Sequence, residues 1–461
     1  MASSKKSPRR DPRSHVAGVL AKVLKSNPHV ALGLSGGVDS MVLLDILQAL
    51  SKKLRFKLSA VHVNHQLSRN AASWAKFCQR WCKARAVPIK IVKVNVRGAR
   101  ATGIEAAARE ARYRAFDRES ADYVALAHNL DDQAETMLLQ LLRGSGVKGL
   151  SAMPELRQQN HESAPRIIRP LLDVPRSEIE RYAKLRKLQW IEDESNVNTA
   201  LDRNFVRHKV FPVIGKRFQA YRETLGRASR HFAEAAALLD ELAELDSRTA
   251  LRGGKLKVAA LREMAPARAR NLLRYYFAQN GLLMPSAKRL DEILHQVAYS
   301  REDAKVSVAL GELEVRRFKG EVYVCRVHPD LDPKFCLRWQ GEKKLEISEL
   351  EGVMAFRRTR GKGMDYAKLM QEPVTIRVRR GGEKLRPDCK RPRRSLKDLL
   401  QESKIAPWER SRLPLLFSGE RLVCVPGIGI DCDYQARAGQ KGLSVQWQVN
   451  YTGSCTATRH A

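Results

Sequence analysis

At 461 residues, 43% of them hydrophobic, the chain carries enough apolar material for two to four domains with cores of their own, which excludes a small stapled scaffold. Its 84 Lys+Arg against 50 Asp+Glu leave a net charge of +34, more than solubility requires, so a polyanionic partner is expected, with nucleic acid the first candidate. The sequence lacks the run of about 18 apolar residues that a membrane span needs, the basic, Ser/Pro-rich amino terminus lacks the apolar core of a signal peptide, and eight scattered cysteines make no disulfide framework; a soluble cytoplasmic protein with reduced thiols and no membrane partner is the expectation.

In chain order, a basic tail (1–15) is expected to be disordered, and HVALGLS (29–35) reads as a buried strand followed by the apolar-faced helix SMVLLDILQAL (40–50). The alternation continues: strand 58–65, helix 73–84, strand 88–96, helix 104–116, strand 123–128, helix 131–142. Strands separated by such helices predict an α/β domain over 16–215, an open parallel sheet with helices on both faces. Residues 216–330 read as a mainly helical domain that binds substrate or links its neighbours, 331–450 as a basic α+β domain with a helix at 395–403, and 451–461 as a tail.

The hexapeptide Ser35-Gly36-Gly37-Val38-Asp39-Ser40 lies between the first strand and its helix. Consecutive backbone N–H groups at a helix amino terminus cradle phosphate, glycines let the phosphate approach, Ser35 and Ser40 offer hydroxyls, and Asp39 suits magnesium. There is no Gly-Lys-Ser/Thr ending, which argues against simple transfer of a terminal phosphate. With the strand order 3-2-1-4-5, His128 and the acidic turn Asp131, Asp132, Glu135 emerge beside this loop, suited to magnesium, to proton transfer, or merely to capping their helix. Glu105, Arg109, Arg112, Tyr113 and Phe116 share one face of the preceding helix, either lining a cleft or forming a surface ion pair over core aromatics.

SGGVDS resembles the pyrophosphate-binding loop of the N-type ATP pyrophosphatases, the PP-loop family, which implies adenylation of a carbonyl oxygen. HVNH (62–65), IEAAAREARYRAF (104–116), HNLDDQAET (128–136), LLRGSGVKGLSAM (141–153), RPLL (169–172) and WIEDESNVNTALDRNFVRHKVFP (190–212) together resemble the signature series of the tRNA(Ile)-lysidine synthase family. RRGGEKLRP (379–387) and LKDLLQESKIAPWERSRLPLLF (396–417) are similar to that family's carboxy-terminal tRNA-binding domain. The resemblance implies a bacterial, cytoplasmic ligase that uses ATP, Mg2+ and free L-lysine to convert the wobble cytidine of an isoleucine tRNA with a CAU anticodon into lysidine, changing both decoding and charging. A homodimer is compatible with it.

On this reading the ATP site is Ser35 to Ser40, with Asp39 and Asp132 as magnesium ligands, and Arg112 faces the α-phosphate or the cytidine's backbone. Asp132, Glu135 or His128 takes the proton of the lysine amine. Arg203 and Arg207, with Asn196 and Asn204, are expected at the mouth of the site, touching tRNA. Arg379, Arg380, Lys384, Arg386, Arg393, Arg394 and Lys397 belong to a dense basic stretch, opposed locally only by Glu383 and Asp388, that is expected to neutralise tRNA phosphates. Many members of the family read His-His where this chain has His128-Asn129, so a mechanism needing the second histidine is in doubt. A tRNA thiolase is the rival within the same chemistry, but the chain has no Cys-x-x-Cys, only Cys78 and Cys82 four apart on a helix. A non-catalytic RNA-binding protein is the rival of another class.

Overall fold

The computed structural model describes residues 11–95, 104–158, 164–327, 331–403, 405–449 and 458–460. The chain divides into two compact units, Met1–Leu238 and Leu239–Ala461.

Six strands form the sheet of the first unit: β1 (His29–Gly33), β2 (Lys57–Asn64), β3 (Ile89–Lys93), β4 (Tyr123–Ala125), β5 (Leu156–Arg157) and β6 (Arg166–Ile168). Their spatial order is β3-β2-β1-β4-β6-β5. All neighbours are parallel except the outermost pair, β5 and β6, so the expected order is found with one short antiparallel strand added at its edge. The strands are continuous apolar runs because both faces are covered. Val30 and Leu32 point into one core with α1 (Pro12–Val23), α2 (Val38–Ser51) and α3 (Ala71–Ala84), while Ala31, Val61, Val124 and Ile167 meet Phe116 of α4 (Ile104–Asp117) on the other side. After β4 come α5 (Leu130–Leu142) and α6 (Val147–Leu150), and α7 (Arg176–Leu185) follows β6. Next are α8 (Asp202–Phe205), a π-helical turn (Val206–Val210), α9 (Phe211–Arg217) and the long α10 (Tyr221–Ala250).

The expected tail through residue 15 is too long. The helix α1 begins at Pro12, where a proline costs no hydrogen bond, and the Asp11 carboxylate caps it by accepting from the Ser14 N–H at 2.9 Å. At the other end, Thr458–His460 pairs antiparallel with Lys441–Val449, so part of the expected tail is an edge strand.

Residues 216–330 are mainly helical as expected, and a sheet is added to the helices from residue 251 onward. Helices Val258–Glu263, Pro266–Gln279 and Ala287–Tyr299 share one core with a five-stranded antiparallel sheet that includes Ser307–Leu310, Leu313–Phe318 and Glu321–Arg326. Leu272, Leu273, Tyr276 and Phe277 of RARNLLRYYF are buried in that core, so its apolar half serves packing. The carboxy-terminal part is α+β as expected, with Leu396–Glu402 as its helix and two further five-stranded sheets closing on Ile376, Leu416 and Trp447. The reading of every thiol as reduced fails at one place: Cys389 and Cys432 form a disulfide, their Cα atoms 5.4 Å apart.

Candidate active site at the switch point of the sheet

The phosphate loop leaves β1 where strand order reverses, the usual place for a ligand in an open parallel sheet. Gly36 has φ +91°, and a Cβ there would meet Ile191 Cδ1 at 2.8 Å and Cys78 Sγ at 3.2 Å, so only glycine fits. Ile191 also ties the loop down, its N–H donating to the Gly36 carbonyl at 2.9 Å. The two serines shape the loop: Ser40 Oγ accepts from the Gly36 N–H at 3.1 Å and donates to the Gly37 carbonyl at 3.0 Å, and Ser35 Oγ accepts from the Gly37 N–H at 3.3 Å. The hydroxyls and glycine amides expected to meet phosphate are therefore engaged with each other. The N–H groups of Val38, Asp39 and Ser40, in the first turn of α2, have no acceptor within the helix, the arrangement in which a helix amino terminus can receive an anion.

Asp39 faces α5 across the switch point. Asn129, the N-cap of α5, donates from Nδ2 to Asp39 Oδ1 at 3.0 Å, while its own Oδ1 accepts from the Asp132 N–H at 3.1 Å. Asp132 completes a capping box, its Oδ2 accepting from the Asn129 N–H at 3.0 Å. So Asn129 joins the loop to the acidic helix. Capping is not the only role of Asp132: its Oδ1 also accepts from Arg203 (2.8 Å) and Arg207 (3.2 Å). Glu135, 1% exposed, accepts from Arg203 Nε at 2.7 Å and from Arg207 at 2.6 and 3.0 Å, so both its oxygens are taken. Arg203 and Arg207, expected to touch tRNA, are thus built into a buried cluster of four charges.

These environments separate the two aspartates. Burial, and then the charge of Asp132, push the Asp39 carboxyl up to about 6. Burial acts the same way on Asp132, but Arg203, His128, the Asn129 N–H and Arg207 outweigh it and hold that carboxyl below its usual range.

His128 sits in the connection between β4 and α5, half-buried. Burial pushes its pKa down to about 3, with Arg169, Arg203 and Arg109 adding to the effect against the pull of Asp132, so it is neutral. Arg169 Nε donates to His128 Nδ1 at 3.2 Å, which puts the imidazole proton on Nε2. The ring therefore offers a hydrogen-bond donor rather than a base. Arg112 Nε lies 3.4 Å from Nε2 of His65, whose pKa is pushed down to about 4 by burial and then by Arg112. Phe116 is in the core and Tyr113 only partly buried, so the shared face of α4 is mixed: aromatic at its foot, cationic above.

Comparison with known proteins follows the same outline. Residues 12–214 match the PP-loop domain, 256–323 the TilS substrate binding domain and 374–447 the TilS substrate C-terminal domain. A tRNA(Ile)-lysidine synthase of Nitrosomonas europaea is 47% identical over 93% of this chain and 94% of its own length. The enzyme of that name from Coxiella burnetii is 34% identical over 92% and 94%. The chain belongs to the tRNA(Ile)-lysidine synthase family. It is thereby an ATP-dependent ligase of the PP-loop class. The thiolase reading finds no support in the cysteines: burial, and then Cys82, push the Cys78 thiol up to about 12, and burial pushes Cys82 up to about 11, so neither offers a thiolate. Among the described residues no helix is long and apolar enough to cross a membrane.

Within the family's C-terminal domain the basic stretch is less free than its sequence suggests. Carboxylates distant in sequence answer it. Asp431, 1% exposed, accepts from both terminal nitrogens of Arg393 (2.6 and 3.0 Å) and from the Arg386 N–H (3.1 Å). Arg386 also donates to Asp433 at 2.6 Å, and Arg394 makes two bonds to Glu402 at 2.9 and 2.6 Å. Arg380 is held by Glu383 through its N–H (2.6 Å) and by the Pro333 carbonyl through Nε (2.7 Å), and Arg379 lies 3.9 Å from Glu383. Lys384 and Lys397 are exposed and make no ion pair among the described residues. Sequence reasoning missed Asn129, Arg169 and Asp431 as organisers. Arg169 lay within a quoted motif, but nothing local marks it as buried.

Two outcomes test this geometry. In the metal-free chain the raised Asp39 pKa costs stability on the order of 3 kcal/mol above pH 6, a cost that is lost as pH falls from about 6 to about 4, where folded and unfolded states both bind the proton. Asp39→Asn should therefore raise urea resistance at neutral pH and lose that advantage near pH 4; equal stability at neutral pH would refute the strain. Asp431→Ala should destabilise the second unit by about 2 kcal/mol in urea unfolding, since it strips Arg393 and the Arg386 N–H of their acceptor.

Proposed function

We propose that this chain ligates free lysine to carbon 2 of the wobble cytidine in the CAU anticodon of a minor isoleucine tRNA, in the bacterial cytoplasm. The observation that carries the reading is the Asn129 bridge, which couples a phosphate-holding loop to a carboxylate–arginine cluster in a chain of this family. The cytosine oxygen at carbon 2 attacks the α-phosphate of ATP, pyrophosphate leaves, and the lysine ε-amine then displaces AMP. The first-turn N–H groups of α2 receive the leaving pyrophosphate as its charge grows. His128, with its proton on Nε2, donates to an oxygen that becomes negative in either step.

Two neighbouring carboxylates, one of them with a raised pKa, form a donor set suited to a hard divalent cation. Asp39 would hold Mg2+ chiefly, joined by the second lone pair of Asp132 Oδ2, and the ion would supply charge neutralisation at the phosphates. Of the three groups considered for accepting the lysine proton, Glu135 is saturated by arginine and the His128 nitrogen that accepts is occupied, which leaves Asp132, whose one open Oδ2 lone pair can serve the ion or the ammonium but not both at once. Arg203 and Arg207 hold Asp132 and Glu135 in place.

The test is an incubation with ATP, magnesium, lysine and either the CAU isoleucine tRNA or initiator methionine tRNA, followed by nucleoside analysis. Lysidine should appear in the first only; its absence from both would end the proposal. Asp39→Asn should lower turnover by about a hundredfold or more while tRNA affinity stays within about twofold. Comparable loss of tRNA affinity would mark Asp39 as a structural residue.

A further inference from the structure

Arg169 is 1% exposed, yet every acceptor it meets is neutral: His128 Nδ1 (3.2 Å), the Pro154 carbonyl (2.7 Å) and Tyr113 Oη (3.3 Å). A guanidinium so buried ordinarily has a carboxylate beside it. Two more arginines close on the same phenol. Arg109 lies 5.2 Å and Arg157 5.7 Å from the Tyr113 ring centre, and Arg109 Nη2 is 3.4 Å from its hydroxyl. Burial would raise the Tyr113 pKa, but the three arginines outweigh it and lower that value. Among the described residues none of the three has a carboxylate partner, in contrast to Arg203, Arg207, Arg386 and Arg393.

We propose that Arg109, Arg157 and Arg169, gathered around Tyr113, form a docking site for a backbone phosphate of the RNA substrate, one that neighbours the reacting base. The inference rests on the tRNA reading above. Position favours RNA over ATP. Arg169 follows β6 and Arg157 lies on β5, two and three places along the sheet from β1 and its phosphate loop. At about 4.8 Å per strand that is roughly 10 to 14 Å from the loop, beyond the phosphates held there. Arg109 and Arg157 are exposed and can reach a phosphodiester, while Arg169 supplies fixed charge from below. Because Arg169 also holds His128, a phosphate docked here is registered against the donor at the centre of the site.

The experiment uses the full chain and reads binding without turnover: affinity for the CAU isoleucine tRNA across a salt series, and affinity for ATP by calorimetry. Arg109→Gln and Arg157→Gln sit at the surface and spare the core. Each should weaken tRNA binding about three- to tenfold at low salt and reduce the salt slope by about 0.7, with ATP affinity within about twofold. Unchanged tRNA affinity and slope would overturn the proposal, as would a loss of ATP affinity equal to or larger than the loss for tRNA. A chain that binds tRNA through these arginines but makes no lysidine would sink the catalytic reading and leave this one standing.

Discussion

A carboxylate as deeply buried as Glu135 is stable only with cations against it, and much of the catalytic unit is arranged to meet that requirement. The cations are Arg203 and Arg207, 68 and 72 residues further along the chain, so the segment after the sheet must return across α5. Once it does, Asp132 is gripped as well, α5 is fixed at its first turn, and Asn129 holds Asp39 at a set distance from both. Breaking one arginine contact would leave a buried charge half-answered. The cluster is therefore less a source of net stability than a device that admits one arrangement of the loop and the acidic helix.

Charge in this unit is sorted by place. On the β1 side of His128 two carboxylates crowd together, one of them strained upward to a pKa of about 6. On the β6 side three arginines crowd around one phenol with no acid among them in the described residues. Each half repels itself, and each would be relieved by a ligand of the opposite sign: a cation at one, a phosphate at the other. His128 stands between them, neutral and oriented, bonded to the cationic half through Arg169.

The parts legible in sequence were those whose cause is local. Buried strands and apolar-faced helices announce themselves by period, and the hexapeptide's glycines and position mark a phosphate loop. What stayed hidden depended on partners far along the chain. Arg386 and Arg393 read as free cations because Asp431 and Asp433 lie about 40 residues away, and the Cys389–Cys432 bond spans 43. Periodicity does not say which core the strands at 307–326 join. The acidic first turn of α5 could be read as capping or catalysis; Asp132 caps and also belongs to the charged cluster, and no local pattern distinguishes one from both.

The π-helical turn at Val206–Val210 bears on how such a site survives insertion and deletion. A π turn is an α-helix with one residue too many, and trimming that residue would restore regular geometry while rotating everything beyond it by about 100°. The more regular helix would swing either the arginine pair or α9 out of place. A shortened descendant could keep Asp132, Glu135, Arg203 and Arg207 in its sequence and still lose the arrangement they form. For this fold the spacing of the turn is as much an inherited character as the charged residues themselves.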